Sequence, residues 1–133
     1  MKITLCADKL DNADACKKAL LHELNHASQI CLGPTVAPPS GIAYVSSDCA
    51  RFICNELQAS YYGQCAGITS QFARDCCARQ GALNSARSVA TNHPTGNPCK
   101  KEREASSAVY NAQLFKKCTK EPPKGYDIPE TNR

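Results

Sequence analysis

The sequence predicts a mainly α-helical domain, opened by one short strand and stapled by disulfides. Three observations carry this. Four segments repeat apolar residues at the three-to-four spacing of a helix. Ten of the 133 residues are cysteine. The core material is thin, with three Phe, five Tyr and no Trp, so covalent staples or a bound metal would add noticeably to stability. The length fits one domain, residues 1–133, rather than two.

Taken in order, Ile3 to Cys6 reads as a short strand. Asn12 or Asp14 can cap a first helix, whose positions Cys16, Leu20, Leu24, Ala27 and Cys31 make an apolar stripe, and Gly33-Pro34 ends it. A Pro/Gly/Ser-rich loop follows to Gly41, then a brief extended piece at Ile42 to Val45. Ser47-Asp48 caps a second helix carrying Cys49, Ile53, Leu57 and Tyr61 along one face, which breaks near Gly63. A third helix spans about Ser70 to Ala90, with a weak point at Gly81, and a loop holding His93 runs from Thr91 to Pro98. A fourth, about Glu102 to Cys118, spaces Ala105, Ala108, Ala112 and Phe115 helically. The tail from Thr119 has three prolines and no period, so it is either a wrapping strap or without fixed structure.

Within the first helix stands His22-Glu23-Leu24-Asn25-His26, the pattern H-E-x-x-H. On a helix, residues four apart share a face, so both imidazoles can reach one zinc ion, with Glu23 beside its open position as general base. Such a site needs a third protein ligand. The extended pattern with a third histidine is absent, since Gln29 and Leu32 occupy its glycine and histidine positions. Carboxylates and His93 remain. Glu56 is the best placed, on the next helix beside the apolar Ile53 and Leu57; Asp48 is its rival, although the start of that helix also suits a cap. Zinc would lower the pKa of its water towards about 7, and Glu23 would take the proton and pass it to the leaving amine. Tyr61, Tyr62, Tyr110 and His93 could each steady an oxyanion, and the sequence does not choose among them. These features predict a zincin-like metallopeptidase domain of α+β class with one catalytic zinc.

The cysteines point to an oxidising compartment. Cys76 and Cys77, as neighbours, should bond to different partners, and Cys6 and Cys16 are spaced to clamp the strand to the first helix. Met1 to Lys9 has no apolar stretch of the kind a cleaved secretory signal needs. The uncharged run from Ala27 to Ser47 is broken by Pro34, Pro38 and Pro39, which excludes a membrane-spanning helix there. Sixteen bases against twelve acids leave a net charge of +4, and the bases are dispersed, so no nucleic-acid partner is expected.

The order of features resembles the mitochondrial inner-membrane metalloproteases that process a mitochondrially encoded ATP-synthase subunit and assist its assembly, whose animal members are also called Ku-binding proteins. Leu5-Cys6 and Ala19 to Ala27 are similar to that family's strand and H-E-L-x-H-A helix. Cys54-Asn55-Glu56-Leu57-Gln58-Ala59 with Gly63-Gln64-Cys65 resembles its Cys-x-Glu-Ile-Arg-Ala and Ser-Gly-x-Cys run. Cys77 to Ser85, Asn97-Pro98-Cys99, Ala108-Val109, Cys118 and Tyr126-Asp127-Ile128-Pro129 continue the likeness over almost the whole chain. The resemblance implies zinc held by His22, His26 and Glu56, which raises Glu56 above Asp48. It also implies a peptide or membrane-protein precursor as substrate, peripheral association with a membrane, and disulfide-assisted folding in the mitochondrial intermembrane space. The chain departs from the family pattern at Gln29, where an aspartate is usual, at Gln58 in place of arginine, and in the inserted stretch Ala86 to Gly96.

Overall fold

A computed structural model describes residues 10–33, 36–92 and 95–125. The expected strand at residues 3–6, with Cys6, and the expected sites at His93 and residues 126–129 lie outside these. The described residues form five helices and no strand: α1 (Ala13–Leu32), α2 (Ser47–Tyr61), α3 (Gln71–Asn92), α4 (Glu102–Val109) and α5 (Ala112–Thr119). The protein is thus mainly helical, with one helix more than its periodicity predicts.

The helix starts follow side-chain chemistry. Asn12 Oδ1 accepts from the Ala15 N–H at 2.9 Å to open α1. Ser46 Oγ accepts from Cys49 N–H at 3.2 Å to open α2, so the cap is Ser46 and not the expected Ser47-Asp48 pair. The extra helix arises at Asn111, whose side chain accepts from Leu114 N–H at 2.9 Å. That bond starts α5 and interrupts what the spacing of Ala105, Ala108, Ala112 and Phe115 shows as one helix, because an Asn side chain competes locally with the backbone ladder. Residues 42–45 form a turn, closed by Val45 N–H to the Ile42 carbonyl at 3.2 Å, rather than an extended piece.

Helix α2 is the hub and packs against each of the other four. Its Ile53, Leu57 and Cys49 are fully enclosed, surrounded by Ala78, Ala82, Ala108, Val109 and Leu114. Two disulfides fasten this hub, Cys49–Cys99 to the segment before α4 and Cys54–Cys118 to α5, and a third, Cys65–Cys77, ties the turn that follows α2 to α3. Cys77 is bonded apart from its neighbour Cys76, which is an exposed thiol, as are Cys16 and Cys31. Gly81 does not weaken α3. It lets the helix close on α2, since a Cβ there would stand 2.6 Å from Ser60 Oγ.

Helix α1 turns the opposite way from its periodicity. Leu20 and Leu24 are 39% and 42% exposed, whereas Asn25 and Gln29 are buried. The apolar stripe faces outward because the inward face is paid for by polar pairing instead. Asn25 Nδ2 donates to the Ala59 carbonyl at 3.1 Å and Gln29 Nε2 to the Asn55 carbonyl at 3.0 Å, satisfying donors that would be costly to bury alone, while Asn25 Oδ1 is buried without a hydrogen bond. The described start of the tail, up to residue 125, is a strap against the end of α2: Tyr62 Oη–H donates to the Thr119 carbonyl at 2.7 Å and Gln58 Nε2 to the Glu121 carbonyl at 2.8 Å.

Candidate metal centre

The polar seam between α1 and α2 brings together the two histidines of the H-E-x-x-H pattern and Glu56. Their helical spacing places the His22 and His26 rings on the inward face, with Nε2 atoms 3.0 Å apart. Glu56 projects from the facing side of α2, its Oε2 3.2 Å from His22 Nε2 and its Oε1 3.0 Å from His26 Nε2. One donor atom from each of the three lies within 4.8 Å of the others. Glu23, the next residue after His22, is exposed.

Close helix approach makes this possible. Gly63, just beyond α2, meets the α1 backbone, where an added Cβ would stand 2.9 Å from both the N and Cα of His22. Ser60, fully buried, sets its Oγ 3.5 Å from His22 Nδ1. Gln29 Oε1 pairs with His26 Nδ1 at 2.9 Å.

The electrostatics are those of a site that favours a cation. Burial alone would raise the Glu56 carboxyl, but the two imidazoles beside it outweigh this and hold it at about 2. Burial likewise pushes His26 down, and the neighbouring Glu56 overrides it, so its pKa is raised. Even so, Glu56 Oε2 is buried without a well-formed hydrogen bond. Two imidazoles and a carboxylate with such an orphaned oxygen are a donor set able to hold a metal ion.

The chain matches no protein-family model, no curated protein and no solved structure.

The other sequence candidates lie apart from this cluster. Asp48 is exposed in the first turn of α2, two helical turns before Glu56, and pairs with Arg51 at 3.9 Å. Tyr62 spends its hydroxyl on the strap, Tyr61 lies under the Arg74 guanidinium at 3.8 Å, and Tyr110 is 61% exposed where α4 ends. A second cluster, Cys49, Cys99 and Glu104, offers no thiolates because its cysteines are bonded to each other. Sequence reasoning missed the supporting residues Gln29, Ser60 and Gly63. Only Gln29 left a signal, standing three residues after His26 and hence on the same helical face.

Proposed function

We propose that this chain is a zinc-dependent endopeptidase, with His22, His26 and Glu56 as metal ligands and Glu23 as general base. The observation that carries the reading is the convergence of those three donors in a half-buried seam; Glu23, adjacent to His22 in the chain, is exposed to solvent. Held by His22, His26 and Glu56, zinc would supply Lewis acidity and would lower the pKa of a bound water to about 7. Glu56 brings the negative charge that offsets the ion, while His22 and His26 present neutral nitrogens to it. Glu23, in contact with solvent, takes a proton from the attacking water and returns it to the departing amine.

The resemblance to the mitochondrial metalloproteases supports a narrower version: processing and assembly of an inner-membrane ATP-synthase subunit from the intermembrane space, by a protein held peripherally at the membrane. Three disulfides suit that oxidising space. No helix among the described residues is long and apolar enough to cross a membrane.

One observation favours a second reading, a non-proteolytic assembly factor. The outward stripe of α1, with Leu20, Leu24 and the 73%-exposed Ile30, suits contact with an apolar membrane-protein segment. A single comparison separates the two. Protein purified without chelator is assayed for zinc, and parent and Glu23→Gln are incubated with a membrane-subunit precursor. The protease reading requires close to one zinc per chain and a loss of cleavage in the variant of about 10²–10⁴-fold. Less than half an equivalent of zinc, or undiminished cleavage by the variant, sinks it; equal support of assembly by both proteins would establish a separate, non-proteolytic role.

A further inference from the structure

The two buried glutamines, Gln29 and Gln58, form a relay whose direction is forced from both ends. Gln58 Nε2 donates to the Glu121 carbonyl at 2.8 Å. That leaves Gln58 Oε1 to accept from Gln29 Nε2 at 2.9 Å. Gln29 Nε2 also donates to the Asn55 carbonyl at 3.0 Å. Backbone carbonyls can only accept, so neither amide is able to flip. Gln29 Oε1 must therefore be the atom that faces His26 Nδ1 at 2.9 Å, and it can only accept. In neutral His26 the proton then sits on Nδ1, and the Nε2 lone pair faces Glu56 Oε1 and His22 Nε2.

We propose that Gln29 is a positioning residue which fixes His26 as an Nε2 ligand, and that Gln58 with the Glu121 carbonyl of the C-terminal strap holds Gln29 in that role. The proposal rests on the zinc reading and deepens it. An imidazole ligand is set in tautomer and ring orientation by the hydrogen bond of its other nitrogen. Here a neutral amide does this, and its own orientation is dictated by a tail segment three residues beyond the Cys54–Cys118 bridge. The strap is thereby joined to the metal centre through four consecutive hydrogen-bonding groups, with no contact to the metal itself.

The test is zinc affinity by competition with a chromophoric chelator, on the full chain with disulfides intact, together with imidazole ¹⁵N NMR of the zinc-loaded proteins. In the parent, His26 is expected to bind zinc through Nε2 and to keep a slowly exchanging Nδ1 proton. Gln29→Leu should lose about 10–100-fold in affinity and lose the protection of that proton. Gln29→Glu, whose carboxylate still accepts from Nδ1, should recover most of the affinity in spite of a less stable fold. Asn25→Leu is the control. It cuts the other α1-to-α2 hydrogen bond, and it should cost stability while leaving zinc affinity near the parent's. Equal losses of affinity in Gln29→Leu and Asn25→Leu would reduce Gln29 to a packing residue and overturn the proposal, as would an undisturbed Nδ1 proton in Gln29→Leu. If Gln29→Leu does not fold, Gln58→Leu decides by the same two measurements. Failure of the parent to bind zinc would instead overturn the metallopeptidase reading on which the relay depends.

Discussion

Glu56 and His26 perturb each other in opposite directions, and the two shifts give opposite pH signs. The Glu56 carboxyl is held at about 2 against an ordinary 4.5. Its contribution to stability is therefore full above the ordinary value and is lost as pH falls towards about 2. His26 is raised above its ordinary 6.5, so the metal-free fold gains from it below that value and loses the gain as pH rises through the raised one. Zinc needs His26 unprotonated at Nε2, so its binding should strengthen over the same rise. The expected result is a zinc-binding midpoint above pH 6.5 in the parent, measured by chelator competition across pH. In Glu56→Gln the midpoint should move down and the affinity should fall sharply, because both the anionic ligand and the source of the His26 shift are gone. A variant with the parent's affinity and midpoint would remove Glu56 from the site.

At the scale of elements, the seam depends on how near α1 lies to the end of α2. Gly63→Ala would push a methyl against both the Ala59 carbonyl of α2 and the His22 backbone. Relief requires the turn after α2 to shift as well as α1, so the variant should lose about 1–3 kcal/mol of stability in urea unfolding and bind zinc more weakly than the parent. How much of this was legible depends on which force sets each element. The H-E-x-x-H pair reads directly from helical spacing, and the nearness of Glu56 reads from its place beside Ile53 and Leu57, because burial of those two orients α2. The facing of α1 does not read from hydropathy. Its apolar stripe points outward, and its inward face is chosen by side-chain pairing of Asn25 and Gln29 with carbonyls of α2, partners some thirty residues distant. The split between α4 and α5 is hidden for a related reason. Asn111 keeps the apolar period intact while its side chain takes over a backbone donor.

At the scale of the molecule, the bridges of the described residues gather on α2 and the turn that follows it, and Cys16 and Cys31 of α1 are free thiols. The three bridges close separations of 50, 64 and 12 residues. Constraint of the unfolded chain by loops of these sizes contributes about 3–4 kcal/mol each when taken singly. Cys54 stands two residues before Glu56, so reduction should loosen Glu56, the proposed metal ligand on α2, along with the core. The expected outcome of mild reduction is a lower melting temperature together with weaker zinc binding. A reduced protein that melts lower yet keeps its full zinc affinity would show that the bridges and the site are independent. The pairing pattern was not legible, since it depends on which helices α2 gathers around itself. That Cys76 and Cys77 do not bond to each other was, because adjacent residues cannot close an unstrained ring, but the bridge expected for Cys76 is not formed: it is an exposed thiol.

The outward apolar stripe of α1 also determines the order in which the molecule opens. With Cys16 and Cys31 free and little fully enclosed apolar surface, α1 is docked largely by polar contacts, and these give up little free energy when water replaces them. Its backbone amides should therefore exchange with deuterated solvent well before those of residues 49–60 in the metal-free protein. Zinc, joining His22 and His26 to Glu56, should slow that exchange selectively in α1. Uniform protection of both helices without metal would mean that α1 is held by something other than the seam.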